Sequence, residues 1–296
     1  MFYDKESDFE DDLVAVLKRH GWTDGVLEYP TEQDLISNWA NILFDNNKGI
    51  DRLNGQRLTK GEMAQILEQI ETLRTPLALN SFINGKTVSI KRDNPKDEAH
   101  YGKEISLKIY DRQEIAAGQS RYQIARQPMY PAKNKMLNNR RGDICLLING
   151  MPVIHIELKK SGIPISQATN QIAKYAHEGV FTGLFRLVQV FVAMNPDDAV
   201  YFANPGEGDF NDDYFFHWAD YNNEPIAANK HVGQDEWKRF ASDLLSIPMA
   251  HQLIGFYTVA DSADGCLKVL RSYQYQAVNA ISDRVRTCKW LSLIHI

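Results

Sequence analysis

Two carboxylates and a lysine lie close together in a mainly aliphatic stretch of the chain. Asp143 is followed by Glu157 and, two residues later, by Lys159. Two buried carboxylates repel each other unless a cation neutralises them. Mg²⁺ prefers carboxylate and water oxygens and usually takes one or two protein carboxylates, which leaves water to attack a phosphate. With Lys159 placed to steady charge on phosphorus, these residues predict phosphodiester hydrolysis.

A β-hairpin is predicted to bring these residues together. Residues 143–148 and 153–158 are rich in β-branched and aliphatic side chains, and between them lies Asn149-Gly150, a strong hairpin signal. Side chains alternate between the two faces of a strand, so Glu157 and Lys159 point to the same face.

The length of the turn decides whether Asp143 joins them. A two-residue turn would place Asp143 opposite Ile156, on the wrong face of the sheet. A three-residue turn that includes Met151 would place it opposite Glu157. We therefore predict the three-residue turn, with Gly150 supplying a positive φ at a bulge.

An aspartate followed by Glu-x-Lys is a weak pattern alone, because it also fits a solvated edge strand. Two observations favour a site. The strand around Glu157 is otherwise apolar, and the following segment carries Gln171 and Tyr175, whose spacing of four puts them on one helical face. His155 shares the face of Glu157, either behind the site or as a hydrogen-bonded histidine of the sheet.

The arrangement Asp143 and Glu157-x-Lys159 resembles the PD-(D/E)xK nuclease superfamily, although the preceding proline is absent. Gln171-x-x-x-Tyr175 resembles the QxxxY element of its RecB-like branch. The resemblance implies that Asp143, Glu157 and Lys159 are catalytic and that the two carboxylates among them bind Mg²⁺. It also implies that Gln171 and Tyr175 support the catalytic strand or contact DNA, although the two could equally be helix surface.

Any nucleic-acid binding must be local, because the net charge of the chain is -5. A basic cluster precedes Asp143, with no acidic residue among its members, and Lys160 extends it on the partner strand. The members of the cluster before Asp143 are Lys133, Lys135, Arg140 and Arg141. Such a cluster would draw a DNA backbone toward the carboxylates. The alternative is a solvated basic loop.

The first helix is predicted to begin at Ser7, whose spacing to Glu10 fits a capping box, and to end near Gly21. Glu10 has two candidate roles. The capping box is sufficient to explain it, whereas the superfamily resemblance implies a glutamate of the first core helix that reaches the metal.

The remaining pattern predicts an α/β fold, a mixed β-sheet flanked by helices with a helical insertion at about 31–75. A capping box at Thr59 opens one helix of the insertion. Asn84-Gly85 is interpreted as a hairpin turn. Further strands are predicted at 105–110, 122–127, 187–193 and around 201–202. This order fits the restriction-endonuclease-like core that the superfamily resemblance implies, at about 81–205.

Composition predicts a globular protein. The chain has 296 residues, of which 44% are hydrophobic, enough for a packed core. Its acidic start does not fit a signal peptide and no apolar run is long enough to span a membrane, so we expect no membrane partner and a cytoplasmic location. The cysteines, Cys145, Cys266 and Cys288, are too far apart to indicate a zinc site or a disulfide framework.

Several separated segments together resemble the N-terminal portion of the restriction (R, HsdR) subunit of type I restriction-modification enzymes. They include LISNWANILFDNN, RLNGQRLTKGEMAQIL, the 140–175 stretch and HQLIGFYTVADSADGCLKVLRSYQYQAVNAI. The resemblance implies an endonuclease domain at 1–260, followed at 261–290 by the opening segment of a truncated superfamily 2 helicase motor. It also implies double-stranded DNA as substrate and assembly with methyltransferase (M) and specificity (S) subunits.

A complete phosphate-binding loop is missing from the sequence, so we expect ATP binding and translocation only in the full-length subunit. Gln274 or Gln276, in RSYQYQAVNAI, would read adenine there. Residues 291–296, LSLIHI, are expected to be a non-native tail, because translation of a common transposon-derived sequencing adaptor ends in that peptide. Two other classes stay open: a repair-type nuclease of the same superfamily, and a non-catalytic docking fragment for the M and S subunits.

Overall fold

A mixed β-sheet with helices packed around it forms the centre of the fold. The structure, a computed structural model, describes residues 2–114, 119–131, 139–206, 208, 210–228, 235–261, 263 and 265–287. In chain order its strands are β1 (Val26–Glu28), β2 (Thr87–Lys91), β3 (Glu104–Lys108), β4 (Tyr122–Arg126), β5 (Met129–Tyr130), β6 (Arg140–Arg141), β7 (Ile144–Ile148), β8 (Met151–Leu158), β9 (Val190–Met194), β10 (Ala199–Ala203), β11 (Thr258–Ala260) and β12 (Leu267–Val269). Its α-helices are α1 (Glu6–Arg19), α2 (Glu32–Asn47), α3 (Lys60–Thr72), α4 (Pro76–Asn84), α5 (Ile165–His177), α6 (Glu236–Leu244), α7 (Met249–Gly255) and α8 (Ser272–Thr287).

Six strands form the main sheet in the order β1-β4-β7-β8-β9-β10. The pairs β1/β4 and β8/β9 are parallel, and the other neighbours are antiparallel. Strand β8 lies inside the sheet, and all eight of its residues are buried. Strands covered on both faces have continuous apolar runs, as β7 and β9 do. The predicted α/β class with a mixed sheet is confirmed.

The predicted helical insertion consists of α2 and α3. Thr59 opens α3 with the predicted capping box: its side chain accepts a hydrogen bond from the Glu62 backbone N–H, and the Glu62 carboxylate accepts one from the Thr59 N–H. The box predicted at Ser7 is wrong. Helix α1 begins at Glu6, with Lys5 as its N-cap and no side-chain cap, so Ser7 already lies inside the helix.

The predicted hairpin turn at Asn84-Gly85 is also wrong, because residues 76–84 are the helix α4. Thr75 caps this helix by accepting a hydrogen bond from the Ala78 N–H at 3.1 Å, and Pro76 fits the first helical position. Leu79 and Ile83 are buried four residues apart, on one helical face. Asn84-Gly85 therefore ends a helix, and β2 pairs with β3 in a separate two-stranded sheet.

The turn between β7 and β8 has two residues, so the predicted three-residue turn through Met151 is wrong. Met151 pairs directly with Ile148. Asn149 and Gly150 have φ angles of 52° and 83°, and two positive φ angles match the twist of the strands that flank a two-residue hairpin turn.

An irregularity further along the hairpin corrects the register. Leu147 pairs with Pro152 but Leu146 pairs with Ile154, which leaves Val153 as an extra residue in β8. A one-residue bulge exchanges the two faces of one strand relative to the other. From there Ile144 pairs with Ile156, and continuing this register sets Asp143 opposite Glu157.

Strand β12 packs against β10, the edge strand of the main sheet. Just after β12, the Leu270 carbonyl accepts a hydrogen bond of 2.8 Å from the Tyr201 hydroxyl of β10. The domain boundaries at 260 and 290 stay predictions. Residues 288–296, with Cys288 and the predicted non-native tail, lie outside the described residues. Within the described ranges, no helix combines the length and the apolar character needed to cross a membrane.

Candidate active site

Asp143 and Glu157 come together at the ends of β7 and β8. The Asp143 Oδ2 atom accepts a hydrogen bond from the Leu158 backbone N–H at 2.7 Å, which fixes this carboxylate beside the partner strand. The Lys159 Nζ atom lies 3.4 Å from Glu157 Oε1 and donates to the Leu158 carbonyl at 2.6 Å. The hairpin thus assembles all three residues of the predicted catalytic set.

The charges of this set are poorly balanced. Glu157 is fully buried, and burial raises the pKa of its carboxyl to about 7, against the opposing effect of Lys159. Burial, followed by the charge of Glu157, also raises the pKa of Asp143 well above its ordinary value. One lysine therefore does not neutralise the pair.

The donor set fits a small hard cation. Glu157 Oε2 is buried and has no hydrogen-bond partner, so one carboxylate oxygen is left for a ligand. The described residues contain no group of three or more His, Cys, Asp and Glu side chains able to hold one metal ion. Two carboxylates with water in the other positions is the coordination that Mg²⁺ commonly adopts.

A buried histidine lies directly behind Glu157. The His155 Nε2 atom is 3.3 Å from Glu157 Oε2, and its Nδ1 atom shares a hydrogen bond of 2.8 Å with the Tyr130 hydroxyl. Burial lowers the pKa of His155 to about 4, so the ring is neutral at pH 7. The sequence left two interpretations of His155 open, and both apply: the ring lies behind the carboxylate and is hydrogen-bonded within the sheet.

Glu10, the glutamate of α1 that the family resemblance implies at the metal, has its partners at the end of β4, and its metal role stays a prediction. Its carboxylate pairs with Arg126 and accepts a hydrogen bond from the Gln127 side chain at 3.0 Å. Another glutamate of α1, Glu6, contacts the predicted catalytic set, and its Oε1 lies 3.7 Å from Lys159 Nζ. Sequence reasoning missed Glu6 because the helix was expected to begin after it.

Gln171 and Tyr175 form the predicted helical pair. The Gln171 side-chain amide donates to the Tyr175 hydroxyl at 2.7 Å, and this hydroxyl donates to the Arg141 carbonyl at 3.0 Å. Burial, with the charge of Glu157 as the next cause, raises the pKa of Tyr175 to about 12. Helix α5 thereby holds the backbone two residues before Asp143.

The basic residues near the site have different surroundings. Arg140 makes a two-pronged ion pair with Glu178, at 2.7 and 2.8 Å, so its charge is largely satisfied within the protein. The Arg141 guanidinium lies 5.3 Å from the centre of the half-exposed Tyr29 ring, and Lys160 is exposed. Lys133 and Lys135 lie outside the described residues.

An open polar groove of about 460 Å³ runs along α5 beside these residues. Its lining has amide, hydroxyl and cationic side chains and no carboxylate. The lining residues are Arg140, Gln167, Asn170, Gln171, Lys174 and Tyr175. A groove of this chemistry suits a phosphate backbone.

The two candidate adenine-reading residues differ in position. Gln274 lines a cavity of about 420 Å³ together with Arg271 and aromatic side chains such as Phe216, and Gln276 does not line it. The Gln274 Oε1 atom accepts a hydrogen bond from the Arg271 backbone N–H at 2.9 Å. A nucleotide role for either glutamine stays a prediction.

Similarity to known proteins covers the same part of the chain. The family described as the type I restriction enzyme R protein N terminus matches residues 6–210. This chain belongs to that family. Its six-stranded sheet and the Asp143/Glu157/Lys159 set both lie within the matched range, which ends before α6.

Several curated relatives of this R-protein family are similar over almost the whole chain. The SsaAORF53P endonuclease subunit of Staphylococcus saprophyticus is 30% identical over 285 residues, which is 95% of this chain. The SauCOLORF180P endonuclease subunit of Staphylococcus aureus is 27% identical over 281 residues. This chain spans 27% of the length of each of these two relatives. The EcoprrI endonuclease subunit of Escherichia coli is 28% identical, over 90% of this chain and 83% of the relative.

Proposed function

We propose that this chain is the Mg²⁺-dependent endonuclease module of a type I restriction R subunit and hydrolyses phosphodiester bonds of double-stranded DNA. One observation carries the proposal. The buried carboxylates of Asp143 and Glu157 meet beside Lys159, and Glu157 Oε2 has no partner. The names of the relatives support a restriction endonuclease subunit over a repair-type nuclease.

Asp143 and Glu157 would hold the metal ion. A bound Mg²⁺ would supply charge neutralisation at the phosphate and would make a coordinated water more acidic. The Leu158 N–H keeps Asp143 oriented through its 2.7 Å hydrogen bond, so this ligand does not have to be ordered when DNA arrives.

Lys159 has the electrostatic role. Its Nζ atom lies beside both Glu157 and the Leu158 carbonyl, where a cation stabilises negative charge that develops on the scissile phosphate. Tyr175 acts on the backbone instead, because its bond to the Arg141 carbonyl holds the chain that leads to Asp143. The groove along α5 would carry the DNA backbone past these residues.

In the complete subunit, this nuclease would be coupled to ATP-driven DNA translocation and assembled with M and S subunits in the cytoplasm. Sequence recognition would then belong to the S subunit, so we expect little sequence-specific cutting by the isolated chain. The remaining alternative is a docking fragment for M and S that has lost the chemistry.

Plasmid cleavage tests the proposal. Supercoiled plasmid is incubated with the chain and Mg²⁺, alone and with M and S subunits, beside Asp143→Ala and Lys159→Ala variants. Each substitution should lower the Mg²⁺-dependent rate at least ~100-fold, which is about 2.7 kcal/mol of activation free energy. Matched controls are Asp51→Ala and Lys96→Ala, both at exposed positions outside the hairpin.

Cleavage that neither site variant slows would falsify the assignment of these residues. A chain that assembles with M and S but never cleaves, with or without Mg²⁺, would favour the docking alternative.

A further inference from the structure

A tyrosine and a histidine form a buried pair behind the proposed catalytic carboxylate. Tyr130 and His155 are both fully buried. The Tyr130 hydroxyl and His155 Nδ1 are 2.8 Å apart, and the other ring nitrogen, Nε2, faces Glu157 Oε2 at 3.3 Å. Neither Nε2 of His155 nor Oε2 of Glu157 has a hydrogen-bond partner.

Burying two polar side chains in a sheet is unfavourable unless their hydrogen bonds are satisfied. The contact between Nε2 and Oε2 is within reach but lacks the alignment of a full hydrogen bond, since both atoms are unpartnered at 3.3 Å. A modest rotation of the Glu157 carboxyl would let Oε2 accept a hydrogen bond from Nε2 on one lone pair, and its other lone pair would stay available to a metal ion. The pair is therefore placed to act on the orientation of Glu157.

The backbone next to Asp143 leaves space for this pair. A Cβ atom on Gly142 would lie 2.7 Å from a Tyr130 ring carbon and 2.8 Å from His155 Cε1. Real Cβ atoms essentially never come so close to other heavy atoms. Glycine at 142 thus lets the Tyr130 and His155 rings lie directly under the chain that carries the first carboxylate.

Aromatic neighbours hold the imidazole in one orientation. The ring centres of Phe181 and Phe191 lie 5.4 and 6.0 Å from that of His155, and Phe185 packs against Tyr130 at 4.4 Å. Closely packed rings restrict side-chain rotation. His155 therefore presents a fixed nitrogen to Glu157.

We propose that Tyr130 and His155 are positioning residues that fix the carboxylate of Glu157 in its ligand-binding orientation. In this arrangement the Tyr130 hydroxyl donates a hydrogen bond to the unprotonated Nδ1 of His155, and the ring proton is on Nε2, pointing at Glu157. An ionised carboxylate can only accept hydrogen bonds, so this is the tautomer that stabilises it. The proposal deepens the metal-dependent nuclease function and rests on it for its metal readout.

Two substitutions separate the two ends of the imidazole. The amide of His155→Gln reaches the position of Nε2 and keeps a donor toward Glu157. The shorter amide of His155→Asn reaches only the position of Nδ1 and keeps the contact with Tyr130. A role confined to core packing would make the two variants alike, whereas the positioning role would make Gln the better replacement.

Mn²⁺ affinity, measured by electron paramagnetic resonance on the whole chain without DNA, is the first readout. Removing a group that orients a metal ligand typically weakens metal binding 10- to 100-fold. We expect His155→Asn to weaken Mn²⁺ binding at least ~10-fold and His155→Gln by less than ~3-fold, while urea unfolding reports the stability of each variant separately. Equal affinities for both variants and the parent would overturn the proposal.

The second readout needs no metal. In ¹⁵N spectra of the metal-free parent at pH 8, where the Glu157 carboxyl is mostly ionised, His155 should carry its proton on Nε2, and Glu157→Gln should shift the Nε2 resonance while Tyr130→Phe shifts Nδ1. A proton on Nδ1, or an Nε2 resonance indifferent to Glu157→Gln, would refute the proposal. If the parent binds no Mn²⁺, the metal-dependent function fails and these spectra alone decide about Tyr130 and His155.

Discussion

Replacing Glu157 with glutamine is expected to stabilise the metal-free protein, although it removes a proposed metal ligand. The carboxyl is fully buried, and its pKa is raised from 4.5 to about 7, mainly by burial. The folded state therefore binds the proton more tightly than the unfolded state does. Ionising Glu157 at higher pH must destabilise the fold.

The size of the effect follows from this difference in pKa. Each pH unit between 4.5 and about 7 removes about 1.4 kcal/mol of stability, so the full loss above pH 7 is about 3 kcal/mol. Glutamine resembles the protonated carboxyl in size and carries no charge. Glu157→Gln should therefore raise the free energy of unfolding by about 3 kcal/mol at pH 8 and by less than ~1 kcal/mol at pH 5.

Urea unfolding in EDTA, at pH 8 and at pH 5, measures both values. Glu68→Gln is the matched control, because Glu68 is an exposed helical glutamate and its substitution should leave stability unchanged within ~0.5 kcal/mol. Under the proposed function, added Mg²⁺ should stabilise the parent at pH 8 and have little effect on Glu157→Gln. A variant no more stable than the parent at pH 8 would refute the reasoning about burial.

Three further substitutions test other buried polar groups by urea unfolding. Arg92→Leu should lower stability by about 3–5 kcal/mol, because it removes the guanidinium that contacts two buried carboxylates at 2.7 and 2.9 Å. The control is its exposed neighbour, and Lys91→Leu should leave stability almost unchanged. Asn149→Ala should cost about 2–3 kcal/mol, since the side chain makes two hydrogen bonds at 2.8 and 3.2 Å and φ is 52°; Asn149→Gly, free of the φ penalty, should be the milder change. Burial lowers the pKa of His251 below 6.5, so the unfolded state takes up the proton more readily and stability falls as pH drops below 6.5. His251→Gln should therefore make stability change less between pH 7 and pH 5. An unchanged dependence of stability on pH would contradict this assignment.

The sequence predicted the strands and the identity of the site residues because both depend on local patterns. Continuous apolar runs marked β7, β8 and β9, and the alternation of side chains placed Glu157 and Lys159 together. The family resemblance was also readable from separated segments, and it is confirmed over residues 6–210. Local pattern and burial agree in this part of the chain.

The register of the hairpin could not be predicted, because two irregularities can produce the same pairing. A three-residue turn and a two-residue turn followed by a bulge both set Asp143 opposite Glu157. The structure has the second, with the extra residue at Val153. Which one forms depends on packing between the hairpin and the rest of the protein: a Cβ on Gly150 would lie 2.9 Å from the Trp39 backbone.

Long-range partners were the other feature that sequence reasoning missed. Glu10 satisfied a capping pattern and a family pattern at once, yet its partner Arg126 is 116 residues away. Tyr130 carried no signal, since its contact with His155 exists only after β5 and β8 are in place. Asn84-Gly85 matched a turn signal, but Thr75 and Pro76 begin a helix that ends at Asn84.

The hairpin and α1 join the site on different timescales of synthesis and folding. Asp143 and Leu158 meet across 15 residues, a span that a two-residue turn can close within about 1–10 μs. The helix that brings Glu6 to Lys159 leaves the ribosome first. At about 5–20 residues per second, synthesis of the roughly 150 residues between them takes about 8 to 30 seconds. β8 also needs β9, its parallel neighbour, which is made later still. The nascent hairpin can therefore pair its two carboxylates while water still surrounds them, and their repulsion becomes strong only when the later strand and the waiting helix close over them.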